Sequence, residues 1–147
     1  MTPGEDFLFL EGLIVPHLKT VLGEQIFVER AADLAGVMES GQNTPAVHVL
    51  YRGYRPSNAE TDGFVGVIQT WLTVIAVRNV RAERSGEDAR LEAGPIVSTV
   101  IKGLHGQRFK GARPFRLAPA PSAGFGAGFL YLPLAWEVGV YITNPCG

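Results

Sequence analysis

The sequence predicts an α+β domain, a mostly antiparallel β-sheet with two amphipathic helices packed on it, and three patterns carry that prediction. Ala46–Tyr51 and Val65–Val77 are rich in β-branched and aromatic residues, which suit a pleated, buried surface. Phe129–Thr143 alternates, with Leu130, Leu132, Leu134, Trp136, Val138, Val140 and Ile142 on one face. Two further sets, Phe7/Leu10/Ile14/Leu18/Val21/Leu22 and Ile96/Val97/Val100/Ile101/Leu104, recur at helical spacing. Strands without regular βαβ alternation, plus a few helices, give an α+β layer architecture.

Taken in order, residues 4–22 read as the first helix, bent near Pro16 because proline lacks the backbone donor, and Gly23 is its stop. Gln25–Glu29 reads as a short strand and Asp33–Met38 as a turn of helix. Ser40–Pro45 is turn chemistry leading into the strand at 46–51. Residues 52–63 read as a long polar loop, far longer than a two-residue hairpin turn. The 65–77 run is apolar on both alternating sets, so it is expected to be central and covered on both faces. Ser85 with Asp88 resembles an N-cap for a second helix reaching about Leu104, bent at Gly94-Pro95. His105–Pro114 is a basic loop, Phe115–Ala118 a short strand, and Pro119–Gly128 a second flexible loop. Pro133 implies an edge position or a bulge in the closing strand.

With 147 residues the chain suits one domain, 1–147, and is long enough to bury a core. Its 46% hydrophobic and 18% charged residues mark a globular protein. No run approaches the ~20 apolar residues that span a bilayer. The opening Met-Thr-Pro-Gly-Glu-Asp is acidic where a secretory signal would be basic, so a cytoplasmic site is expected. Net charge is −1, unevenly spread. Residues 1–44 carry seven carboxylates against Lys19 and Arg30, whereas 93–136 carry Lys102, Arg108, Lys110, Arg113 and Arg116 with no carboxylate.

Little in the chain assembles chemistry. His17, His48 and His105 lack metal-ligand spacing, and the single Cys146 is nearly terminal. Glu60/Asp62 sit in a polar loop, and Glu87/Asp88 suit a first helical turn as dipole partners. Gly124–Gly128 lacks the Lys-Ser/Thr ending of a phosphate loop and precedes a strand. No catalytic residue, cofactor or metal is therefore expected. The basic run interleaves Phe109 and Phe115, but pI is near 6.3 and no nucleic-acid signature is present, so direct nucleic-acid binding is not expected.

Several segments together resemble the tail terminator proteins of Mu-like tailed phages and prophages. They are Ala31–Ala35, Thr44–Val49, Trp71–Asn79, Ala93–Ile96, Leu104–Gly106 and Gly128–Ala135, in family order over nearly the whole chain. The Gly106–Arg108 turn departs from the pattern, which has an aromatic residue after the glycine. The resemblance implies an α+β subunit that assembles in the host cytoplasm as a hexameric ring. Such a ring caps the tail tube, stops its polymerisation, prepares the tail for head joining and stays with the virion tail.

A ring needs heterologous contacts, one patch of each subunit meeting a different patch on the next. The charge asymmetry suggests Glu5, Asp6 and Glu11 facing Arg108, Lys110 and Arg113 of a neighbour. Arg52, Tyr54 and Arg55 are the expected anchors for the tail tube protein or head-joining proteins, since Arg and Tyr carry disproportionate interface energy. The rival readings are a small head-tail connector or cytoplasmic adaptor without a ring, and an enzyme completed by a partner chain. A monomer or a symmetric dimer would mark the adaptor; a pocket lined by titrating groups would mark the enzyme.

Overall fold

Val65–Val77 does become the spine of the molecule. The computed structural model describes residues 6–39, 43–57, 64–79 and 86–143. Its elements are α1 (Glu11–Leu22), β1 (Phe27–Arg30), α2 (Leu34–Glu39), β2 (Ala46–Pro56), β3 (Phe64–Arg78), α3 (Glu87–Leu104), β4 (Arg116–Ala118), β5 (Gly124–Gly126) and β6 (Phe129–Thr143). The sheet runs β1-β2-β3-β6-β4, with β5 pairing β6 beside β4, and β1–β2 is its parallel pair. β3 is central, pairing β2 from Ala46↔Ala76 to Pro56↔Val67 and β6 from Phe64↔Thr143 to Arg78↔Phe129. The fold is α+β, as predicted.

Period-2 alternation sorts the β3 side chains onto two faces. Val67, Trp71, Ile75 and Val77 join Ile14, Leu18, Ile96, Val100 and Leu104 in the main core, so α1 and α3 cover this face. Leu72, Val74 and Ala76 join Leu50, Tyr131, Ala135 and Val37 in a smaller core, where α2 covers one end of the opposite face. Helices α1 and α3 approach closely at Gly103, where an added Cβ would lie 2.6 Å from Val21. His17 adds a hydrogen bond to the Gly103 carbonyl at 2.7 Å.

Three sequence expectations shift. The first helix starts at Glu11; residues 7–10 are in turns, and residues 4–5 lie outside the described residues. The Phe7 carbonyl is taken by Gln69 Nε2 at 2.6 Å, and Asp6 Oδ1 accepts the Leu8 N–H at 3.1 Å, so the helical ladder cannot extend back. Residues 52–56 are strand, not loop: β2 continues past a bulge at Arg52, where Gly53 takes φ 130°. That stretch is polar because β1 pairs only with 46–49, leaving 52–56 at an edge, where Arg, Gly and Pro are tolerated. Residues 58–63 lie outside the described residues.

The expected loop at 119–128 likewise contains β5, which pairs with β6. Ala127 (φ 50°) and Gly128 (φ 83°) form the two-residue turn, and left-handed conformation at both positions matches the twist of a hairpin. Ser85 lies outside the described residues; Gly86 precedes α3 without a side-chain cap. Pro133 satisfies its edge expectation locally. It falls between the part of β6 paired with β5 (129–131) and the part paired with β4 (135–137).

Candidate functional site

At the Phe64 end of β3 the two faces of the sheet differ in chemistry. The helix-side face carries the N-terminal segment. Gln69, fully buried, donates to the Phe7 carbonyl and accepts from Trp71 Nε1 at 2.9 Å. Phe7 then packs edge-on against Tyr51 and Tyr54, with ring centroids 6.3 and 5.5 Å apart. This brings Asp6 beside the sheet end, while Glu11, four residues into the chain from Phe7, pairs with Arg30 at 3.4 Å. Burial, with Tyr54 beside it, raises the Tyr51 hydroxyl above its ordinary pKa.

The opposite face is open at this end. Register puts Arg55, Ile68, Gly139, Gly66 and Tyr141 on it, on the side where Leu72 and Val74 face α2 further along. A recess of about 820 Å³ lies here, lined by Arg55, Arg113, Arg116, Glu137 and Tyr141 above Gly66 and Gly139. Arg55 donates to Glu137 at 2.8 Å. Arg113 donates through Nε and Nη2 to the Tyr141 hydroxyl at 3.0 and 2.7 Å, with its guanidinium 5.4 Å from that ring centroid. The Arg113 stem lies across Gly139, where an added Cβ would stand 3.3 Å from its Cδ. Arg116 faces Glu137 in the β4–β6 register. Glu137 is thus the one carboxylate among three guanidinium groups, and among the described residues Arg113 and Arg116 have no ion pair.

The residues singled out from sequence divide between these faces. Arg55 lines the recess and Tyr54, 61% exposed, stands on the other face; Arg52 is the exposed bulge residue between strand and arm. Arg113 turns into the recess. Arg108 and Lys110 are exposed on the α3–β4 connection, flanking Phe109, whose ring packs on His17 and Phe115. Glu5 lies outside the described residues. Among the described residues the acidic set (Asp6, Glu11) makes no ion pair with Arg108, Lys110 or Arg113 of its own chain.

The recess was legible in one respect that the loop reading obscured. Glu137 is the one charged residue of β6 and Tyr141 shares its face; both stand opposite the apolar Trp136/Val138/Val140 set. His48 is a packed sheet residue, buried at 3% exposure, with Nδ1 4.0 Å from Glu29. Burial lowers its pKa, and the Glu29 charge only partly opposes this. Among the described residues no group of His, Cys, Asp and Glu could hold a metal ion, and no helix is long and apolar enough to cross a membrane.

Comparison with known proteins finds a family match and a distant structural likeness. The sequence model of the family described as Phage tail terminator protein matches residues 6–145. No curated protein sequence matches. Among solved structures, a chain of the "Virion of native gene transfer agent (GTA) particle" overlays with a TM-score of 0.46 at 15% identity, covering 84% of each chain.

Proposed function

This chain belongs to the phage tail terminator protein family, and from that premise we propose that it works as a closed ring capping the tail tube. The observation that carries the reading is a family match spanning all but a few residues at either end, so it takes in every element of the sheet and both long helices. In this reading the ring is a hexamer that stops tube polymerisation and prepares the tail for head joining. It assembles in the host cytoplasm, remains with the virion tail, and belongs to the Mu-like branch. Its work is surface complementarity, with no bond made or broken.

Two surfaces serve that role. Between copies, Glu5, Asp6 and Glu11 face the basic segment of Arg108, Lys110 and Arg113; charge patches on different parts of one chain suit the heterologous contacts of a ring. Toward the tube or the head, the exposed arm of β2 presents Arg52, Tyr54 and Arg55 on a rigid strand. Light scattering across a wide concentration range tests the ring, with a species near six times 15.8 kDa expected. A symmetric dimer at every concentration would favour the adaptor reading instead. For the second surface, joint alanine substitution of Arg52, Tyr54 and Arg55 should weaken capping; normal capping would remove these residues from the account.

A further inference from the structure

The recess and the N-terminal segment sit at the same end of the sheet but on opposite faces. Phe7 is pinned to the helix side through Gln69 and Tyr54, which leaves Asp6, whose Oδ1 accepts the Leu8 N–H, on that side. Arg55, Arg113 and Arg116 gather on the other side around one carboxylate. The sheet stands between Asp6 and the recess of the same copy, so the segment of a neighbouring copy is better placed to reach that recess.

We propose that the Glu5–Asp6 segment of one copy docks onto Arg113 and Arg116 in the recess of the next, where Arg55 is already taken by Glu137. The proposal rests on the ring reading and specifies its contact. Two features make the recess a receptor for a carboxylate-bearing segment. Its three guanidinium groups exceed its carboxylates by two, and Arg113 and Arg116 lack an ion pair among the described residues. Arg113 is already held by Tyr141 and by packing on Gly139, so little side-chain freedom is lost when a carboxylate arrives. Donor and receptor on opposite faces make each contact head-to-tail, the geometry that closes into rings. An acidic peptide fits better than a polyphosphate backbone because the unpaired charge is confined to two arginines on a chain of net charge −1.

The test is charge exchange, read in two ways. A labelled peptide of residues 1–11 is titrated by fluorescence anisotropy into the full chain carrying Glu5→Arg and Asp6→Arg, whose own segments leave the recess open. Binding should occur, and Arg113→Glu with Arg116→Glu should raise its Kd at least about tenfold, as expected for a lost charge pair. The same double variant should lower the solution mass of the full chain, and adding Glu5→Arg with Asp6→Arg should restore it. Arg116→Glu alone changes an exposed side chain, so it carries the test if the double variant loses cooperative unfolding. A wild-type ring of unchanged mass in both reversed variants would overturn the docking while leaving the ring reading intact. Failure of the peptide to bind that open-recess chain, or binding of duplex DNA that Arg113→Glu with Arg116→Glu abolishes while peptide binding is absent, would overturn it too.

Discussion

Gln69→Leu is the substitution whose cost follows most directly from contacts in the chain. Gln69 is fully buried and bridges two groups, donating to the Phe7 carbonyl at 2.6 Å and accepting from Trp71 Nε1 at 2.9 Å. Leucine keeps the volume but leaves the indole N–H buried without its acceptor, which costs about 1–3 kcal/mol. The Phe7 carbonyl is only partly buried and regains water, so its loss adds about 0.5–1.5 kcal/mol. A total of about 1.5–4.5 kcal/mol, at roughly 2–4 °C per kcal/mol for a domain of this size, lowers Tm by about 3–18 °C. Thermal unfolding followed by circular dichroism measures it. Hydrogen exchange should also quicken at Phe9 and Glu11, whose amides bond within the turns that Phe7 anchors. In a Trp71→Phe background the same change should cost less, because the orphaned donor is gone. A Tm drop under about 1 °C in the native background would refute the bridge as the anchor of the N-terminal segment.

Further outcomes are expected elsewhere. Gly103→Ala gains helix propensity of about 1 kcal/mol but drives a methyl into the branched Val21, so it should destabilise by about 1–2 kcal/mol, and Val21→Ala should rescue it; equal stability of Gly103→Ala with and without Val21→Ala would contradict that packing. His48 has its folded pKa lowered from 6.5 by burial, so the unfolded chain takes up a proton the folded chain refuses. Its contribution to stability is therefore complete above pH 6.5 and is lost as pH falls from 6.5 toward the folded value; His48→Leu should flatten denaturant-midpoint profiles in that window. Assembly mass should decline as salt rises, because rim charges are screened beyond about 10 Å at roughly 0.1 M. A salt-independent mass would point to apolar contacts between copies.

The strands and helices that bury continuous apolar surface were legible from the residues: β3, β6, α3 and the second half of α1 follow from their periodicity. What escaped the pattern was structure held by something other than burial. The 52–56 arm of β2 is a polar edge kept in register by backbone pairing to β3, and a bulge at Arg52 breaks its alternation. β5 is three residues of Gly-Phe-Gly, whose strand character comes from a tight turn and the hydrogen bonds of β6. The start of α1 moved because a side chain 62 residues away claims the Phe7 carbonyl, a long-range contact that local spacing cannot encode. The same limits applied to the candidate site. Arg55 and Arg113 were visible as charges, but their meeting with Glu137 and Tyr141 depends on the β3–β6 and β4–β6 registers.

The central claim is that this subunit ends a tail tube, and the most direct measurement is the growth of tubes from the cognate tube protein with the chain added at substoichiometric amounts. Negative-stain electron microscopy should show tubes that stop elongating and carry a ring at one end. Tubes that lengthen at the same rate, with bare ends and the chain free in solution, would contradict the account.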